Sequence, residues 1–165
     1  MIGGVKTGAL GAVLALALPV QAAAQTAGCW DENAVRSARI NEFQTSMMVY
    51  HLRCKTAQMG FEEAYFGYLT QHQAALRAAD GSLRVLLGGH DRESRRRFDS
   101  YATVLANSHG HGQANRGNCA LFAEVAAELA QPDSSEDHLD AMARALVHAP
   151  YVPGERCPAQ LARKE

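Results

Sequence analysis

The feature that most constrains this chain is the spacing of its apolar residues between positions 34 and 86. Ile40, Phe43, Met47, Tyr50, Cys54 and Ala57 succeed one another at steps of three, four, three, four and three. Such a series lines one face of a helix. Asn33 stands where an N-cap belongs, and Gly60 where the helix would stop. The next series is longer: Tyr65, Leu69, His72, Leu76, Ala79, Leu83 and Leu86 alternate steps of four and three, through Gly81 to a stop at Gly88-Gly89. A third helix is expected over 93–108, with Phe98, Tyr101 and Leu105 inward and Gly110 beyond its end. A fourth begins near Asn118, shows Cys119, Phe122, Ala126 and Leu129, and ends before Pro132.

The fifth helix starts at Ser134-Ser135, with Glu136 and Asp137 in the first turn, where the helix dipole favours anions. Its inward face is Leu139, Met142, Leu146 and Val147. Pro150, Pro153 and Pro158 then keep the tail extended or turned. No stretch alternates with period two, so strands are not expected. The expected fold is all-α, a bundle of about five helices with an extended C-terminal tail.

Residues 1–24 read as a secretory signal peptide. Lys6 supplies the positive start, the run from Ala9 to Val20 the apolar stretch, and Ala22-Ala23-Ala24 the small residues before cleavage. That run is shorter than the roughly 20 residues a membrane-spanning helix needs. Cleavage near Ala24 would leave 25–165 as a single domain, periplasmic or secreted. A minor alternative is a lipoprotein, because Thr26-Ala27-Gly28-Cys29 resembles the end of a lipoprotein signal. With 16 basic and 17 acidic residues the chain also lacks the strongly positive balance of a nucleic-acid binder.

Four cysteines in an exported chain imply two disulfides with three pairings open. Short connections make successive helices antiparallel. Cys54 near the end of the first helix and Cys119 at the start of the fourth then share one end of the bundle, and Cys29 lies at the other. A 29–54 bridge would have to span a helix of about 37 Å, far beyond the roughly 7 Å a disulfide allows. A 29–119 bridge fails for the same reason. Cys54–Cys119 and Cys29–Cys157 remain, the second strapping the tail across the base.

Motifs for serine hydrolases, zinc proteases, nucleotide binding and haem attachment are absent. The same helix ordering collects His51, His109, His111 and His148 at the upper end, a candidate site for Zn, Cu or Ni. It puts His90 and His138 at the opposite end. His72 interrupts an apolar stripe, as a buried, hydrogen-bonded residue or as a ligand-contacting or pH-sensing one. Arg92, Arg95, Arg96 and Arg97 crowd a helix start, where cations oppose the dipole. They form a solvated charged face or a contact for an anionic headgroup or an acidic envelope protein. Two carboxylate pairs, Glu124 with Glu128 and Glu62 with Glu63, read as helix-opening and surface acids.

Two resemblances bear on function. The stretch RSARINEFQTSMMVYHLRC (Arg36 to Cys54), with DSYATVLAN and the late GERC, resembles a family of small exported helical alphaproteobacterial proteins of unestablished function. That resemblance implies an exported helical architecture and no catalytic residue. Leu69-Thr70-Gln71-His72-Gln73 is similar to the LTxxQ signature of helical periplasmic stress chaperones. This second likeness implies a cradle-shaped dimer that shields unfolded clients and sometimes serves metal-stress responses. The sequence therefore points to non-catalytic binding or protection in the envelope. Its alternatives are metal binding by the upper histidines and a small envelope hydrolase without a recognisable motif.

Overall fold

The computed structural model describes residues 29–89, 91–111 and 114–158. The proposed signal peptide, its cleavage site and His90 lie outside the described residues. Six helices follow in order: α1 (Glu32–Thr56), α2 (Glu62–Gln71), α3 (Gln73–Leu86), α4 (Arg92–Gly110), α5 (Arg116–Leu129) and α6 (Glu136–Leu146). The fold is all-helical, and among the described residues the only β pairing is an isolated bridge between Trp30 and Arg156. Six helices replace the expected five because the long Tyr65–Leu86 stripe is broken at His72, which joins α2 to α3.

α1 is the central column, in contact with each of the other five helices. Its buried residues therefore fall on most of its circumference, from Ala34 and Ala38 through Ile40, Phe43 and Met47 to Val49, His51 and Cys54. Its N-cap is Asp31, not Asn33: the Asp31 carboxylate accepts the Ala34 N–H at 2.8 Å. Its C-terminus closes two residues before Gly60. The Gln58 N–H donates to the Lys55 carbonyl and the Met59 N–H to that of Cys54, and Gln58 occupies the left-handed position at φ 58°. This is a Schellman closure with glutamine where glycine is usual. α3 ends in the same way with the usual residue, Gly88 at φ 114°.

Side-chain caps start the later helices: Asp91 on Ser94, Asn115 on Asn118 and Ser135 on His138. The main core gathers Ile40, Phe43, Met47 and Cys54 of α1 with Tyr65 and Tyr68 of α2. Leu76 and Ala79 of α3, Phe122, Ala126 and Leu129 of α5, and Leu139 and Ala143 of α6 complete it. Each such aliphatic or aromatic side chain contributes about 1.5–3 kcal/mol by leaving water. A second cluster at the base packs Trp30, Ala34 and Ala38 against Leu83, Phe98, Tyr101 and Leu105.

The disulfides are Cys54–Cys119, inside the main core, and Cys29–Cys157 at the base. With its sulfur in a bridge, Cys29 keeps no thiol for a lipid, contrary to the lipoprotein alternative. The tail has no helix from Val147 to Pro158. It is held beside Trp30, whose N–H donates to the Glu155 carbonyl at 2.8 Å and whose carbonyl accepts the Cys157 N–H at 2.9 Å.

Candidate functional site

α1 and α2 meet through an aromatic stack. His51, 6% exposed, lies face to face with Tyr65 at 4.2 Å between ring centres. Phe61 and Phe66 approach its edge, each at 5.7 Å. Its Nδ1 is buried and meets no hydrogen-bond partner. Behind it Tyr68 is fully buried, and burial drives its hydroxyl well above the usual phenol range. The rim of this stack is not covered. Phe66 is 57% exposed, Leu52 beside His51 54%, and Met48, one turn before, 39%. Met48 and Leu52 share one helix face at i, i+4. Three large apolar side chains thus stand in solvent, Phe66 against the aromatic stack and Met48 and Leu52 on the helix that carries His51.

A groove of about 340 Å³ runs beside the α2–α3 break, lined by Gln44 of α1, Leu69 of α2, and Gln73, Leu76, Arg77 and Asp80 of α3. The Asp80 carboxylate is bound by Arg84 Nε at 2.8 Å. The lining holds no histidine, no cysteine and no free carboxylate for acid–base work.

Four more side chains form a network at that break. His72 Nε2 lies 3.0 Å from the Leu129 carbonyl and 3.1 Å from Ser134 Oγ. Ser134 Oγ lies 3.2 Å from His138 Nδ1, and His138 Nε2 2.9 Å from Glu128 Oε1. Serine, histidine and glutamate in that order have the connectivity of an acyl-transfer triad. Here Ser134 is buried, its hydroxyl is enclosed between two imidazoles, and the neighbouring groove is lined by other residues. The network fastens helices together, and a nucleophile at its centre would have no substrate beside it. Sequence reasoning missed it. The signal was the i, i+4 pair Ser134/His138 at a helix start, facing the acid Glu128 ten residues earlier.

The upper histidines do not converge. His51 is enclosed in the aromatic stack, while His109 Nε2 turns to Glu42 Oε1 at 3.3 Å. His148 follows Val147, whose carbonyl accepts from Arg39. At 1.5 Å per residue that level on α1 is roughly 18 Å from His51. α6 lies along the first half of α1, where Arg36 meets both Glu136 and Asp140 at 3.1 Å, and it does not climb to the upper end. His111 is exposed; its carbonyl, with that of His109, accepts from Arg53. Among the described residues no three His, Cys, Asp or Glu side chains form a group that could hold a metal ion.

The arginine knot is partly spent on structure. Arg97 Nε donates to the Leu87 carbonyl at 2.7 Å, capping the end of α3. Arg96 and Arg97 both lie within 4 Å of Glu93, at 3.8 and 3.6 Å. Arg92 and Arg95 are exposed. No helix among the described residues is long and apolar enough to cross a membrane. Compared with protein-family models, curated proteins and solved structures, the chain matches none of them.

Proposed function

We propose that this is an exported helical protein that works by binding rather than catalysis, its aromatic face on α1 and α2 holding apolar segments of other envelope proteins. The observation that carries the reading is the exposure of Phe66, Leu52 and Met48 above a buried aromatic stack. Contiguous exposed apolar surface marks interaction sites, and a flexible thioether adapts to varied partners. Two disulfides suit an oxidising compartment.

The test is light scattering from a heat-unfolded client enzyme, in the absence of reductant, with and without this protein. Wild type should suppress aggregation. Leu52→Ser with Phe66→Ser should lose at least half of that suppression at an unchanged melting temperature. Suppression that survives both substitutions, or that wild type never shows, overturns the reading.

A further inference from the structure

Among the described residues His72 marks the only junction between consecutive helices that has no loop, and the residue is 4% exposed. A carbonyl oxygen can only accept, so the 3.0 Å contact with Leu129 puts the His72 proton on Nε2. Ser134 Oγ accepts from the same nitrogen and has its own hydrogen to give, to His138 Nδ1. The Glu128 carboxylate can only accept, so a neutral His138 carries its proton on Nε2, which leaves Nδ1 to accept from Ser134. Two acceptors, the Leu129 carbonyl at one end and the Glu128 carboxylate at the other, thus orient the whole chain of hydrogen bonds, from the buried junction to the half-exposed surface.

We propose that His72, Ser134, His138 and Glu128 form a proton-responsive latch that holds the α2–α3 junction on the α5–α6 turn at neutral pH and loosens it on acidification. A protonated His138 has no acceptor at Nδ1, so the Ser134 hydroxyl loses its recipient and must turn. A protonated His72 is a cation at a residue only 4% exposed, where little water can solvate it.

Beyond the Leu129 carbonyl, no carboxylate among the described residues offsets that charge from close range. Tyr68 of α2 has its ring centre 6.0 Å away. Glu128 of α5 acts only through His138, and Glu136 of α6 is already engaged by Arg36 of α1 at 3.1 Å. Arg77 of α3, Asp133 of the turn and Asp137 of α6 are exposed. Burial holds the His72 imidazole below its ordinary range; His138 pushes the same way, against the Leu129 carbonyl and Glu136. Gln71 Nε2 donates to the Pro132 and Ser134 carbonyls, both at 3.1 Å. That second attachment does not titrate, so the latch loosens without freeing the turn. The inference does not depend on what the aromatic face binds.

The experiment is histidine nitrogen NMR on the oxidised protein from about pH 8 to about pH 4.5, combined with amide exchange corrected for its intrinsic pH dependence. His72 should be protonated on Nε2 at neutral pH and ionise below the ordinary imidazole range. Protection of the 134–139 amides should fall about tenfold more on acidification in wild type than in His72→Gln, whose amide can donate to Leu129 at any pH. A neutral His72 protonated on Nδ1, ionisation at or above the ordinary value, or equal loss of protection in His72→Gln overturns the latch. Should His72→Gln fail to fold, the wild-type tautomer and titration decide alone.

Discussion

Opening one disulfide at a time tests how the bundle is held. Cys54 and Cys119 are 65 residues apart, nested within the 128-residue span of Cys29–Cys157. With the outer bridge intact, opening the inner one merges a 65-residue loop with the remaining 63 residues of the outer ring. With the inner bridge intact, opening the outer one frees only the difference, 63 residues. In the chain-entropy account a loop of either size is worth about 4 kcal/mol. Loop entropy therefore cannot rank the two bridges, and their surroundings must. Cys54 and Cys119 are 0% and 3% exposed in the main core, so replacement by alanine also leaves unfilled volume, about 1 kcal/mol more. Cys29 and Cys157 are only half-buried and flank a tail without helix, which can fray before the rest unfolds.

Cys54→Ala with Cys119→Ala should therefore cost about 4–6 kcal/mol, a large part of a typical domain's stability. Cys29→Ser with Cys157→Ser should cost about 2–4 kcal/mol. Urea unfolding followed by two probes separates the cases, because the single tryptophan, Trp30, sits under the outer bridge. Without that bridge the Trp30 fluorescence transition should precede the loss of helical circular dichroism. Without the inner bridge the two should coincide at a lower urea midpoint. An outer-bridge variant as destabilised as the inner one, with coincident transitions, would refute the reasoning.

A Cβ at Gly67 would lie 2.8 Å from Ala130 Cβ, so Gly67→Ala should overpack the α2–α5 contact and cost about 1–3 kcal/mol. Adding Ala130→Gly should recover part of that loss in the same thermal melt. Gln58 holds a left-handed conformation without being glycine, and Gln58→Gly should raise the unfolding free energy by about 0.5–1 kcal/mol. An unchanged melt would show that Gln58 bears no strain. His72 ionises below its ordinary range when folded, so between that value and about 6.5 the unfolded chain binds more protons. Its contribution is complete above about pH 6.5 and is lost as pH falls through the folded value. Melting temperatures from about pH 7.5 to about pH 5 should fall more steeply in wild type than in His72→Gln.

The helical class and both disulfide pairings were legible because they follow from local spacing and from lengths of chain. The break at His72 was not. α2 buries Tyr65 and Tyr68, and α3 buries Leu76, Ala79 and Leu83, so the three-and-four rhythm runs unbroken across the junction. Apolar spacing reports which way a side chain faces, not whether the axis beneath it bends. What distinguishes the junction is contact with residues about sixty positions away: His72 on Leu129, Gln71 on Pro132 and Ser134. Gly67, one turn earlier, lets α2 close onto Ala130. The histidine set in the apolar stripe was the one local trace of that arrangement. Leu86, assigned to the inward face, is 45% exposed because α3 is finishing there and turns Leu83 and the Arg84 guanidinium, 3.8 Å from the Phe98 ring centre, to the basal cluster instead.

The upper histidines do not converge because the helices differ in length. Antiparallel ordering assumes that each helix runs the length of its neighbour, yet α6 has 11 residues and α1 has 25. A helix of about 16 Å cannot carry His148 from the base of a column of about 37 Å to its top. Above the level of Gln44, α3 has left the flank of α1, and α2 turns toward α5. Met48 and Leu52 lie on that upper half, past the last turn that α3 or α6 reaches. Their exposure follows from where α3 begins, beside Gln44 on the same face of α1, and lengthening α6 by one turn would leave it unchanged. An α3 continued past its break in line with α1 would run over Met48 and Leu52, so the break at His72 is what leaves these two side chains in solvent.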